Sequence, residues 1–444
     1  MPLIKAYIVP HPPLIVPDIG KGEEKHILTT QMAYKKIAEE IGAIKPQTII
    51  ISSPHAPSYY DYLQISSGST FNGNLRNFHS SEQFSGKYDE DLIFEINKLM
   101  QSIDFPAGTQ GKKDDTLDHG TMIPLYFINQ RYTDYKLVRI AISSLPLKTH
   151  YEFGKLLQKL IEQSKQSIVY VASGDLSHKL LKSGPYGFSE EGIAFDKAMK
   201  NIVAEGNLAK LVDFNENFLH KAAECGLRSF LIMAGVLDGY KYDSSLLSYE
   251  GPFGVGYLVA SFNPQEKLST ETKISNNPYV ELATDALKYY LTTHKKMELP
   301  KDLPLDFRKN QAGVFVSIHK FHQLRGCIGT FKPTTSCIGE EIIQNAISAG
   351  TRDPRFTPIE KDELPYLEFS VDILSNPTRI ESRDELDVKT FGIIVRTKDK
   401  SGLLLPDLEG VDTVEQQISI ALRKAGISQS DDYIIEKFTV TRYQ

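Results

Sequence analysis

Three histidines in the first half of the chain share one context, each just past a β-branched apolar run where a strand would stop. His11 follows Ile4–Val9, His55 follows Thr48–Ser52 and His178 follows Ser167–Ala172. In a sheet of mostly parallel strands, the carboxyl ends open on one crevice, and open α/β folds bind their ligands there. Imidazoles brought to that rim from distant segments point to a metal site or an acid/base cluster. Prolines on both sides of His11 (PHPP) and His55 (SPHAP) fix φ and oppose helix, so each ring sits on a stiff turn. A preorganised ligand of this kind suits a metal, although one such histidine alone could simply cap a strand end.

Other residues join these three. In Gly174–His178 (GDLSH), Asp175 or Ser177 is placed to orient the His178 ring. His119 follows Asp118 in a turn-rich loop and reads, taken alone, as a solvated histidine. Glu224 and Cys225 fall in an apolar helical pattern, AAECGLRSFLIMAG. A buried carboxylate there needs a partner or a metal, unless Glu224 pairs with Arg228 at i,i+4 on the surface. Adjacent helix positions point about 100° apart, so only one of Glu224 and Cys225 would face a shared ion. His26, His79, His150 and His220 have polar neighbours and read as surface residues.

These side chains need elements to position them. Residues 24–43 carry apolar positions at helical spacing, as do Asp89–Ile103, Tyr151–Gln163, Ala194–Val203 and Ala222–Leu237. Strand-like runs at Thr48–Ser52, Leu137–Ser143, Ser167–Ala172 and Gly254–Ser261 alternate with them. The alternation predicts a layered α/β domain with a mostly parallel central sheet over residues 1–262. A polar stretch without period, 263–277, reads as a linker. Residues 278–444 predict a smaller α+β domain, with helices at Tyr279–His294, Ile338–Ser348 and Val414–Ala425 among short strands.

At 444 residues, more than one core is expected. A net charge of −6 and a pI near 6.0 give no basic footprint for nucleic acid, and no apolar run reaches the roughly 18 residues of a membrane span. The N-terminus reads as strand and turn rather than as a secretion leader. Three cysteines cannot make a disulfide framework, which predicts a cytoplasmic protein. No glycine fingerprint for a nucleotide is present.

VPHPPLIVPDIGKG, ISSPHAP, LDHGTMIPL, SGDLSHK and ECGLRSF occur in order across residues 1–262. At these segments the N-terminal domain resembles the class III extradiol dioxygenase (LigB-like) superfamily, most closely its Memo branch. The resemblance implies a divalent metal, Fe(II) first, held by His11, His55 and a third ligand that is Cys225 in the Memo pattern or Glu224 in the dioxygenase pattern. A thiolate would turn preference toward copper or zinc. It further implies His178 as catalytic acid/base and His119 as a second active-site histidine.

The C-terminal domain resembles the AMMECR family through LRGCIG (324–329), TRDPRF and LLLP. In that hallmark, Arg325 and nearby backbone N–H groups can bind an anionic group of a ligand or cofactor. Cys327 can serve as nucleophile or redox thiol, or be merely a small buried apolar residue. The pair of resemblances matches the AmmeMemoRadiSam system and implies a radical SAM partner. The expected function is therefore a metal-dependent, dioxygenase-like oxidoreductase acting on a small aromatic or enediol-type molecule. The alternative is a non-catalytic metal-binding scaffold that recruits the radical SAM enzyme through the AMMECR-like domain.

Overall fold

The computed structural model describes residues 2–444 apart from 112, 114, 115, 268–276, 322 and 409. The chain falls into two units, Met1–Thr270 and Glu271–Gln444. In the first, the elements run β1 (Leu3–Val9), α1 (Pro17–Gly20), α2 (Leu28–Ile44), β2 (Thr48–Ser53), β3 (Leu63–Gln64), β4 (Thr70–Asn74), β5 (Gln83–Tyr88), α3 (Glu90–Ser102), β6 (Ala107–Gly108), α4 (His119–Ile128), β7 (Lys136–Ala141), α5 (Leu147–Gln163), β8 (Ile168–Ser173), α6 (Glu190–Glu205), α7 (Glu216–Ala222), α8 (Leu227–Val236), β9 (Tyr240–Glu250) and β10 (Tyr257–Lys267).

Eight strands form one sheet in the order β4-β5-β7-β2-β8-β1-β10-β9. From β5 to β1 every pairing is parallel, and antiparallel strands close both edges. β2 (TIIISS) and β8 (IVYVAS) are buried at every position, as strands covered on both faces must be. Helices supply the cover: α2 packs with α4, and α5 with α8, which also lies on β8 and β2. The expected α/β domain with a mostly parallel sheet is what forms.

Two expectations need correction. β10 continues through Lys267, with Phe262, Asn263 and Pro264 paired to Ser244, Asp243 and Tyr242 of β9. Residues 263–267 therefore belong to an edge hairpin rather than to the linker. Their polar side chains face solvent while β9 satisfies the backbone, which hid the strand from an apolar reading. The remaining linker residues 268–276 lie outside the described residues. The helix expected over Ala222–Leu237 is two helices, because Ala223 turns left-handed (φ 53°) and α8 begins only after Gly226.

The second unit runs α9 (Pro278–Thr293), α10 (Leu305–Lys309), β11 (Val314–Lys320), β12 (Gln323–Thr330), α11 (Ile338–Thr351), β13 (Leu367–Leu374), β14 (Thr378–Arg379), β15 (Gly392–Arg396), β16 (Ser401–Leu404), α12 (Val414–Ala425), β17 (Ile434–Phe438) and β18 (Val440–Tyr443). Two antiparallel sheets, β12-β11-β13-β18 and β14-β17-β15-β16, give the expected α+β architecture. Val314, Val316 and Ile318 pack under α9 and α11, and Ile393, Val395 and Leu404 under α12. Among the described residues, no helix is long and apolar enough to cross a membrane.

Candidate metal centre

β2, β8 and β1 are neighbours, and Val9 pairs with Ser173 while Ala172 pairs with Ser52, so the three strands end level. Two residues beyond each end stand His11, His55 and Asp175. The His11 and His55 ring centres are 4.8 Å apart, and their Nε2 atoms 3.0 Å. Cys225 Sγ lies 3.7 Å from His11 Nε2. The three ligand atoms of His11, His55 and Cys225 all fall within 4.8 Å of one another, and so do those of Asp175, His178 and Cys225.

Local bonds hold this cluster. The Ser173 hydroxyl donates to the Gly120 carbonyl (2.6 Å), so its oxygen accepts from His11 Nδ1–H at 3.0 Å. That fixes the His11 tautomer and leaves the Nε2 lone pair facing His55 and Cys225. The Asp175 carboxylate accepts the His11 backbone N–H (2.8 Å), and the Asp175 N–H points to Cys225 Sγ (3.3 Å). Gly174 and Gly226 let the two loops touch, since a Cβ on Gly174 would sit 2.2 Å from the Gly226 Cα.

His119 opens α4, capped by Asp118, with its ring centre 4.1 Å from that of His55 and 5.4 Å from that of His11. Phe78 flanks it at 5.5 Å, and Tyr186 lies 5.0 Å from His178. His11 is sealed at 2 % exposure, whereas His55 is open to solvent.

Burial drives these groups toward their neutral forms. It holds His11 well below the usual histidine range, helped by the neighbouring imidazoles, and lowers His55. Burial and the His55 ring bring His119 and His178 down to about 4. Burial lifts Asp175 to about 7 and pushes the Cys225 thiol well above its ordinary value, with the Asp175 and Glu224 charges adding to the latter. Neutral imidazoles are the ligating form, and a buried thiol becomes a thiolate readily only beside a cation. Two nitrogens about 2.0–2.1 Å from one ion, about 90–110° apart, are about 2.8–3.4 Å from each other, which brackets the observed Nε2 pair. The donor set fits a metal.

Several expectations are adjusted here. Cys225 and Glu224 lie in the turn between α7 and α8 rather than on a helix face. The Glu224 carboxylate accepts the Leu227 N–H (2.7 Å) at the start of α8, and Arg228 pairs with Glu216 (2.9 Å) instead. Only Cys225 of the two joins the histidines. Neither Asp175 nor Ser177 holds the His178 ring: Ser177 donates to the Ala222 carbonyl, and His178 Nε2 is buried with no hydrogen-bond partner among the described residues. Asp175, read beforehand only as a neighbour of His178, is part of the cluster. The signal that could have found it was its offset from the strand end, the same as for His11 and His55. His150 is fully buried, not on the surface, because the Ser143 N–H and the Pro146 carbonyl bond its two ring nitrogens.

In the second unit, the Arg325 guanidinium is engaged rather than open. It binds the Glu363 carboxylate (2.9 and 3.1 Å) and the Thr357 carbonyl (2.7 Å). Cys327 is half-buried on β12. The Ser317 hydroxyl points to its Sγ at 3.2 Å, and its own N–H donates to Asp353.

Residues 5–260 match the family described as the catalytic LigB subunit of aromatic ring-opening dioxygenase. The chain belongs to the LigB family. Residues 280–444 of this LigB protein match AMMECR1, making it the expected two-domain fusion. A protein of Clostridium acetobutylicum is 42% identical over 461 residues, covering 99% of this chain and 98% of its own. A Thermotoga maritima protein is 47% identical over 173 residues, 38% of this chain and 99% of its own length. The crystal structure of a Pyrococcus horikoshii protein aligns at 33% identity and TM-score 0.35, over 37% of this chain and 88% of that one.

Proposed function

We propose that the N-terminal unit binds a divalent metal on His11, His55 and Cys225 and works as a dioxygenase-like oxidoreductase on a small aromatic or enediol-type molecule. The observation that carries this is the convergence of the His11 and His55 ring nitrogens and the half-buried Cys225 thiol within 4.8 Å at the level ends of parallel strands. Iron(II) is the first candidate, with copper or zinc favoured by a thiolate ligand. When bound, such an ion supplies Lewis acidity toward a substrate oxygen and a redox centre.

The chain's own residues do the rest. Ser173 keeps His11 Nε2 unprotonated, and Asp175 anchors both the His11 backbone and the Cys225 loop. His178, whose Nε2 has no hydrogen-bond partner among the described residues and lies beside this cluster, takes and returns a proton at that atom. His119 and Phe78 orient a planar substrate beside His55. The test is metal analysis of protein reconstituted anaerobically under reducing conditions, followed by a catechol screen with Fe(II) and O₂. Ring-opened product that disappears in His178→Ala is expected. Protein that retains no metal overturns the reading.

The departure to Cys225 favours a second reading, in which the centre only holds metal and the AMMECR1 unit recruits a radical SAM protein. Stable ligand binding without turnover, together with co-purification of that partner, distinguishes it. Catalysis at Cys327 is assigned if Cys327→Ser abolishes activity while the metal content is unchanged. The cysteines are free thiols, which supports a reducing, cytoplasmic setting.

A further inference from the structure

Arg139 is among the largest fully buried side chains of the described residues, set in β7 opposite Ile51 of β2. An arginine inside a parallel sheet is expensive to bury unless its guanidinium is bonded. Here it donates to the Ser66 hydroxyl (2.6 Å) and the Thr116 carbonyl (2.7 Å), and its Nη1 lies 3.5 Å from the Asp118 carboxylate. That carboxylate gathers three further donors. Ser53 Oγ approaches at 2.6 Å, the Thr121 N–H at 3.0 Å and the Thr121 hydroxyl at 2.8 Å. Ser53 in turn accepts the His55 backbone N–H at 3.2 Å. Asp118 therefore ties the exit of β2, which carries His55, to the first turn of α4, which carries His119. The same turn supplies the Gly120 carbonyl that receives Ser173, the partner of His11. One buried ion pair thus stands behind three of the histidines, and the Asp118 charge acts on the His55 and His119 rings as well.

We propose that Arg139 is a positioning residue of the metal centre: through Asp118 it fixes the separation of the His55 and His119 turns, and so the geometry offered to the ion. The proposal rests on the metal reading above. It is tested by titrating the full chain anaerobically with Co(II), following the thiolate-to-cobalt absorption and the visible d–d bands. Removing partners that orient metal ligands typically weakens binding about 10–100-fold, and Arg139→Met is expected to fall in that range with altered d–d bands. Arg139→Lys should restore part of the affinity. Adding Arg139→Met to Asp118→Asn should weaken binding no further than Asp118→Asn alone, because the arginine acts through the carboxylate. Ser53→Ala removes one arm of the frame without baring a buried charge, and a smaller loss is expected; it decides the matter if Arg139→Met does not fold. Wild-type affinity and spectra in Ser53→Ala and in the Arg139 variants would overturn the role of Arg139 alone. Failure of the wild type to bind Co(II) would overturn the metal reading itself.

Discussion

The two units place their most distinctive residues in opposite ways. In the N-terminal unit, His11, His55 and Asp175 stand just past the ends of parallel strands, where no ladder claims their side chains. In the C-terminal unit, Arg325 and Cys327 lie within an antiparallel strand, and neighbours take up their polar groups pairwise: Glu363 and Thr357 bind Arg325, while Ser317 and Asp353 bind Cys327. Strand ends let side chains from separate loops converge on one point, whereas the strand-interior groups are satisfied by their immediate neighbours. A conspicuous motif is therefore not equivalent to an open site. The glycines of LRGCIG support this view, because a Cβ on Gly326 would lie 2.1 Å from the Ala349 carbonyl oxygen of α11, and one on Gly329 would enter the Phe315 ring.

The largest expected effect separates ligand from scaffold within one turn. Cys225→Ser should lose most of the bound metal, while Glu224→Gln should keep it, since that carboxylate faces the Leu227 N–H. Elemental analysis of the two variants decides, and metal lost in Glu224→Gln but kept in Cys225→Ser would reverse the assignment. Next in size is Gly174→Ala, whose added methyl collides with Gly226. Overpacking of this kind costs about 1–3 kcal/mol, read by denaturant melts, and it should lower metal affinity by moving Cys225 away from His11.

The smallest effect concerns acid sensitivity, which the two units should show in different windows. His150 is held down to about 3 by burial, below its ordinary 6.5. The unfolded chain therefore binds the proton more tightly, and this contribution to stability is full above about pH 6.5 and fades between 6.5 and 3. Glu363 is held near 2, below its ordinary 4.5, because the Arg325 and Lys320 hydrogen bonds outweigh desolvation. Its contribution is full above about pH 4.5 and fades toward 2. Urea midpoints measured against pH should show a shallower upper slope in His150→Gln, where His11, His119 and His178 also contribute, and a shallower lower slope in Glu363→Gln. Unchanged slopes would mean that other groups govern acid unfolding.

Much of this was legible in the residues. The runs TIIISS and IVYVAS announce parallel strands, since only cover on both faces permits continuous apolar sequence, and the histidines after them follow from chain direction. α12 matches its expected span, Val414–Ala425, because Thr413 and Gln416 form a capping box at its start and Gly426 turns left-handed at its end. What escaped depended on contacts between distant segments. Ala223 gives no local sign of a left-handed turn, and the break at Cys225 arises because the Asp175 carbonyl accepts the Gly226 N–H. β9, with Asp243 and Ser245 facing outward and Ser244 bonded to the Val203 carbonyl, has too little apolar pattern to be seen before β10 pairs with it. Polar neighbours in sequence make His150 read as exposed, whereas the fold buries its ring and gives both ring nitrogens partners in the loop before α5.

One side of the centre is sealed and the other is wet. If an ion sits between the His11 and His55 rings, water and chelators meet it first at the His55 arm, so exchange can proceed by releasing that arm while His11 and Cys225 keep their grip. The occupant would then track the supply of free ions around the protein. Growth medium and handling during isolation would show in the metal recovered, and apo protein would reload with whichever competitor stands highest in the Irving–Williams order.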